Sequence, residues 1–223
     1  MPSDFFKVGL IIPSSNTVME PDFHRRLGMR CAISSDRMYL SAVNREAEEE
    51  MIEGELTRAA RLIKTTAPHV VVFGCTSAGS LGGLDHDASI GRRIEKETGA
   101  RAVTVVGSVI QQLRMIGPRR VAVFTPYNEE LTRTVSQCVV EAGYQPVKTA
   151  GMGILDNLDI GRVAPAEILE FVETHMNGVD TDCIFLSCTN WQAIDAIPAV
   201  KARFGVPVIS SNQATIDTVE KML

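Results

Sequence analysis

The chain has 223 residues, with 22 Lys and Arg against 27 Asp and Glu, and a formal net charge of −5 at pH 7. A chain of this length buries roughly 70–75% of its unfolded surface, so one domain or two small ones form without disulfide or metal support. The mild acidity gives no support to a nucleic-acid or membrane-surface partner, which leaves a small molecule as the expected ligand.

In chain order, a β-branched run at 8–12 predicts a strand, a weaker run at 38–40 a second, and 45–65 a helix. Strand 70–73, helix 89–98, strand 102–106 and helix 109–116 follow. Strand 121–124, helix 129–141, a weaker strand at 146–149 and helix 165–175 continue the alternation, and Pro165 suits a first helical turn. Strand 183–186, helix 192–204, strand 206–209 and helix 213–223 close it. Short buried strands separated by helices predict an α/β protein of parallel sheets flanked by helices. Composition agrees, because only 5% of residues are aromatic while 45% are hydrophobic.

Cys31, Cys75, Cys138, Cys183 and Cys188 are an odd number at irregular spacing, with no Cys-x-x-Cys pair, which argues against a disulfide framework. His24, His69, His86 and His175 share no metal-ligand spacing, so no metal is expected. Asp4 and an apolar run of only 8–12 do not make a signal-peptide core, and no window approaches 18 apolar residues. A cytoplasmic protein with reduced thiols is the expectation.

The chain also repeats itself. Val8 opens VGLIIP and Val121 opens VAVFTP, 113 residues later. Pro13 and Pro126 keep that separation, as do Cys75 in VVVFGCTS and Cys188 in CIFLSCTN. The third strands, VTVVGS and VPVISS, break the period. Three landmarks at one offset predict two pseudo-symmetric, flavodoxin-like parallel-sheet halves. These are residues 1–110, completed by the C-terminal helix 212–223, and residues 111–211.

Ligands of open parallel sheets bind beyond the carboxyl ends of the strands, where Pro13, Cys75, Pro126 and Cys188 all fall. With the halves face to face, Cys75 and Cys188 flank one cleft. Each also fits a small buried hydrophobe, the ordinary role of a free cysteine. Against that reading, each follows a strand and precedes a Thr-, Ser- or Asn-rich helix start, whose N–H groups favour a thiolate. Cys31, Cys138 and Cys183 lack that setting and read as packing residues. Residues 74–83, GCTSAGSLGG, lack the Lys-Ser/Thr ending of a phosphate loop and fit a turn presenting N–H and hydroxyl donors to a carboxylate. Asn16 fits a helix cap as well as a ligand contact. Tyr127 fits a loop cover, Asn157 a turn residue and Trp191 packing at a helix start.

At these residues the sequence resembles the aspartate/glutamate/hydantoin racemase superfamily, and within it the maleate cis-trans isomerases, nearly end to end. The opening GLIIPSSNTVMEPDF, the motifs Gly74-Cys75-Thr76-Ser77 and Ser187-Cys188-Thr189-Asn190, and the segment DNLDIGR at 156–162 carry the likeness. Amino-acid racemases more often have Cys-Asn-Thr at the first motif, and arylmalonate decarboxylases keep only the second cysteine. The resemblance implies a cofactor-independent conversion of maleate to fumarate, with Cys75 as nucleophile and Cys188 as proton donor and acceptor. It implies that Asn16, Tyr127, Asn157 and the groups around Thr76, Ser77 and Thr189 hold the two carboxylates. A homodimer or larger homo-oligomer is implied too. Two other readings stay open: a racemase using both cysteines as paired acid and base, and a non-catalytic dicarboxylate-binding protein.

Overall fold

The chain folds into two four-stranded sheets, each wholly parallel and each built from one half of the sequence. The computed structural model describes residues 5–223, so Asp4 lies outside the described residues. In the first sheet, β1 (Phe6–Pro13) lies between β2 (Cys31–Met38) and β3 (Val70–Phe73), with β4 (Arg101–Thr104) beyond β3. In the second, β5 (Arg120–Thr125) lies between β6 (Gln145–Gly151) and β7 (Cys183–Leu186), with β8 (Val208–Ser210) beyond β7. Every residue of β3 and of β7 is buried, which is why these strands read as unbroken apolar runs.

The sequence repeat is a repeat of strand register. Val8 pairs with Val70 in the first sheet, and their counterparts Val121 and Cys183 pair in the second. The bond that ends each ladder also recurs: Gly74 N–H donates to Ile11 O and Ser187 N–H to Phe124 O, both at 2.8 Å. The residue after each bond is Cys75 or Cys188.

Helices α1 (Met19–Leu27), α2 (Arg45–Lys64), α3 (Thr76–Ser80), α4 (Gly83–Thr98) and α5 (Val105–Ile116) belong to the first half of the chain. Helices α6 (Glu129–Glu141), α7 (Asn157–Arg162), α8 (Pro165–His175), α9 (Ala193–Phe204) and α10 (Ser211–Glu220) follow in the second. Helix α10 returns to pack on α5 and α1, burying Ile216 and Val219. Residue 110, where the first half is expected to end, falls inside α5.

Several elements depart from expectation, among them α4, which starts at Gly83 rather than at 89. The strand expected at 102–106 stops at Thr104, whose hydroxyl accepts from Gly107 N–H and starts α5 at Val105. The weak strand expected at 38–40 is the end of β2, an edge strand whose polar residues 34–37 hide the apolar pattern. Helices α1, α3 and α7 are not among the expected elements: α1 is nine residues with Met19, Phe23 and Leu27 on its buried face, α3 is five small residues that are all buried, and α7 buries only Ile160. Among the described residues no helix is long and apolar enough to cross a membrane, and no group of three His, Cys, Asp or Glu side chains could hold a metal ion.

Candidate active site

The carboxyl ends of both sheets face one narrow cavity of about 10 Å³, lined by Pro13, Asn16, Leu40, Val43, Glu48, Cys75, Ser77, Tyr127, Asn157, Cys188, Thr189 and Asn190. Cys75 follows β3 and is the N-cap of α3. Its backbone is held close to β1 by Gly74, where an added Cβ would meet Ile12 Cγ2 and Met19 Sδ at 2.6 Å. A larger residue one position before the thiol would have to displace these buried side chains. Cys188 follows β7, and Tyr127 follows β5.

The two thiols are both buried, but their surroundings differ. Cys75 Sγ lies 3.7 Å from Ser77 Oγ, and Ser77 Oγ donates to Glu48 Oε1 at 2.5 Å. Glu48 is 1% exposed, and its Oε2 has no hydrogen-bond partner among the described residues. Burial pushes the Glu48 carboxyl up to about 8, against smaller opposing effects of Ser77 and Arg45. Burial likewise holds the Cys75 thiol well above its ordinary range, with the charge of Glu48 as the next cause; the Ala78 N–H and Ser77 oppose both.

The hydrogen-bond donors to Cys188 are all neutral, while the charge of Glu48 pushes its thiol up as it does that of Cys75. Asn190 N–H donates to its Sγ at 3.2 Å, and the Tyr127 hydroxyl and the Trp191 N–H also favour the thiolate. Burial is the larger effect and pushes the thiol up to about 12. Tyr127 itself is held well above the usual phenol range, first by burial and then by the two cysteines. No Arg, Lys or His lines the cavity. Any anion bound here meets N–H and O–H dipoles rather than a cation.

The expected carboxylate contacts take different places. Asn16 accepts from Val18 N–H and Met19 N–H, so it does organise the start of α1, and it also donates to Thr189 Oγ1 at 3.0 Å from the cavity wall. Thr189 in turn donates to Gly74 O at 3.0 Å, which links the second cysteine motif to the first. Asn157 opens α7 instead of forming a turn, and donates to Ser15 Oγ at 2.9 Å. The Thr76 side chain points away: its hydroxyl donates to Ser211 Oγ at 2.9 Å, and it does not line the cavity. The segment 74–83 is accordingly not an open turn of hydroxyl donors. It forms α3 and the start of α4, with Ser80 donating to Thr76 O, and of its hydroxyl groups only that of Ser77 belongs to a residue lining the cavity. Trp191 is fully buried packing, and Cys31, Cys138 and Cys183 are buried free thiols.

Three lining residues, Leu40, Val43 and Glu48, escape a reading of motifs, and Asn190 stands in the second cysteine motif with no role expected of it. Asn190 accepts from Thr17 N–H at 2.7 Å and donates to Asn157 O at 2.5 Å, fastening three loops together. Glu48 lies in an acidic run that looks like a solvated helix face. Its spacing to the buried residues Met51, Ile52, Leu56 and Ala59 puts it on the inner face of α2, and that spacing could have revealed it.

Comparison with known proteins fits this geometry. The profile of the arylmalonate decarboxylase family matches residues 8–222. Maleate isomerase of Geobacillus stearothermophilus is 27% identical, over 98% of this chain and 92% of that protein. Arylmalonate decarboxylase of Bordetella bronchiseptica is 30% identical, over 93% of this chain and 86% of that protein. The crystal structure of a maleate isomerase variant from Pseudomonas putida S16 with maleate superimposes with a TM-score of 0.88 at 26% identity, covering 97% of this chain and 91% of that one. The resemblance expected from the motifs is thus borne out, and the chain belongs to the arylmalonate decarboxylase family, an enzyme family whose relatives of this chain include maleate isomerases.

Proposed function

We propose that the protein is a cofactor-independent maleate cis-trans isomerase. The observation that carries this reading is the pair of buried thiols, Cys75 and Cys188, on one cavity at equivalent strand ends of the two halves. The similarity to maleate isomerases supports it. Decarboxylation needs one proton donor for the carbanion it creates, whereas two thiols permit both addition and proton transfer.

In this mechanism the Cys75 thiolate adds to C2 of maleate, and the C2–C3 π electrons move to C3 and its carboxylate. Cys188 delivers its proton to C3, leaving a succinyl group on Cys75. Rotation about the new C2–C3 single bond brings the carboxylates trans. The Cys188 thiolate then removes a proton from C3, the double bond re-forms, and Cys75 leaves as thiolate. The sequence is redox-neutral. Asn16, Tyr127, Asn157 and the N–H groups of Thr76, Ser77 and Thr189 hold the carboxylates and the enolate-like charge. At about 10 Å³ the cavity has room for a single water, so the diacid enters only when its walls part. One wall contact is the Val43 N–H to Leu155 O bond of 2.9 Å between the halves.

The two halves, 1–110 with the C-terminal helix and 111–211, supply one cysteine each in this scheme. Action in the cytoplasm as a homodimer or larger homo-oligomer belongs to the same proposal. Proton magnetic resonance of the protein with maleate in heavy water tests it, and fumarate is the expected product. Absence of fumarate alongside α-deuteration of aspartate or glutamate would establish a racemase instead. Binding without any exchange would leave a dicarboxylate-binding protein.

A further inference from the structure

The mechanism above leaves one buried group unused. Glu48 brings a carboxyl to a cavity that has no basic side chain and is proposed to receive a dianion. An ionised carboxylate only accepts hydrogen bonds, so beside a substrate carboxylate it repels, whereas a protonated one donates. Its Oε1 is already engaged by Ser77, while Oε2 is fully buried without a partner. A buried oxygen without a partner is costly, and a ligand oxygen in the cavity would relieve it.

We propose, on the strength of the isomerase reading, that Glu48 is a substrate-binding residue which works as the neutral acid, donating from Oε2 to one substrate carboxylate while Oε1 stays with Ser77. Dianion binding therefore takes up one proton wherever Glu48 is ionised in the free protein. Protonation of Glu48 takes one negative charge away from beside Cys75 and so offsets part of the two that the dianion brings.

The titration belongs to Glu48 and not to its neighbours. Cys75, Cys188 and Tyr127 are all held above it, with Cys188 at about 12. Arg45, one turn earlier on α2, is engaged by Glu49 and Glu130 and stays charged. Glu48 itself changes charge near 8.

The test is maleate binding by calorimetry over a pH series in the Cys75→Ser protein, which cannot turn over, with and without Glu48→Gln. Gln keeps the size and can donate, but does not ionise. With Glu48 present, affinity falls by about tenfold per pH unit above its titration point. With Gln it stays level there. Calorimetry of the Cys75→Ser protein in buffers of different ionisation enthalpy gives a second readout without altering Glu48: uptake of about one proton per maleate in the alkaline range. Equal pH dependence in the two proteins, or no proton uptake, overturns the role of Glu48 and leaves the isomerase reading standing. No binding of maleate by either protein at any pH overturns both.

Discussion

The two cysteine sites share a backbone and a cavity but differ in their hydrogen-bond partners. Cys75 and Cys188 follow strands of matching register, each one residue beyond the same ladder bond. Yet Cys75 faces a carboxyl through Ser77, whereas Cys188 sits among the neutral donors Tyr127, Asn190 and Trp191. Backbone symmetry places two thiols on one cavity, and side chains from other elements give them different hydrogen-bond partners. A thiol beside a carboxyl that loses its charge when substrate binds suits the attacking role. A thiol held by neutral donors suits repeated proton transfer, because backbone N–H groups do not titrate and Tyr127 is held well above the usual phenol range.

The largest expected effect breaks the comparison at its nucleophile. Cys75→Ser should lower maleate turnover by roughly 10⁴-fold or more, measured as fumarate formed. Retained turnover would assign the attack elsewhere. Cys188→Ser should cost roughly 10²–10⁴-fold, and mass spectrometry should find one substrate mass added at Cys75. If both replacements behave alike and no adduct forms, the two cysteines act as equivalent bases.

Tyr127→Phe probes the Cys188 side alone. Losing that hydroxyl should reduce turnover by roughly 10²-fold, as for one preorganised donor. It should also raise the pH at which Cys188 ionises, since Tyr127 lowers it. An unchanged profile would remove Tyr127 from that role.

Glu48→Gln probes the other side through stability. The carboxyl titrates near 8 in the folded chain against an ordinary 4.5, so its contribution is complete below 4.5 and is lost as pH rises through 8. Above that range Glu48→Gln should melt higher than the unaltered protein by at least about 2–4 °C, the shift that 1 kcal/mol gives at this size. Below the ordinary value the two should melt alike. Asn44→Ala should have the smallest effect. Asn44 caps α2, accepting from Ala47 N–H, and its loss should cost about 1 kcal/mol in thermal or denaturant unfolding.

Much of the fold is visible in local pattern. The helix over 129–141 and the strands over 70–73 and 183–186 have the expected bounds, since caps and unbroken apolar runs are features of neighbouring residues. The short helices α3 and α7 are not visible, because five or six residues are too few to show a helical period, and α3 is buried along its whole length. In the site, the cysteines, Asn16, Tyr127 and Asn157 stand in motifs that mark the strand ends. Thr76 stands in a motif too, but its side chain turns to Ser211.

The sequence by itself determined the alternation of strands and helices, the 113-residue repeat and the pairing of Cys75 with Cys188, because each is written in adjacent residues or in one fixed period. The tertiary structure alone decided which polar groups meet the thiols. Glu48 reaches Ser77 across 29 residues, and Asn16 reaches Thr189 across 173. Such contacts, and the desolvation that keeps Glu48 protonated to about 8, depend on what packs around a side chain and not on the residues beside it.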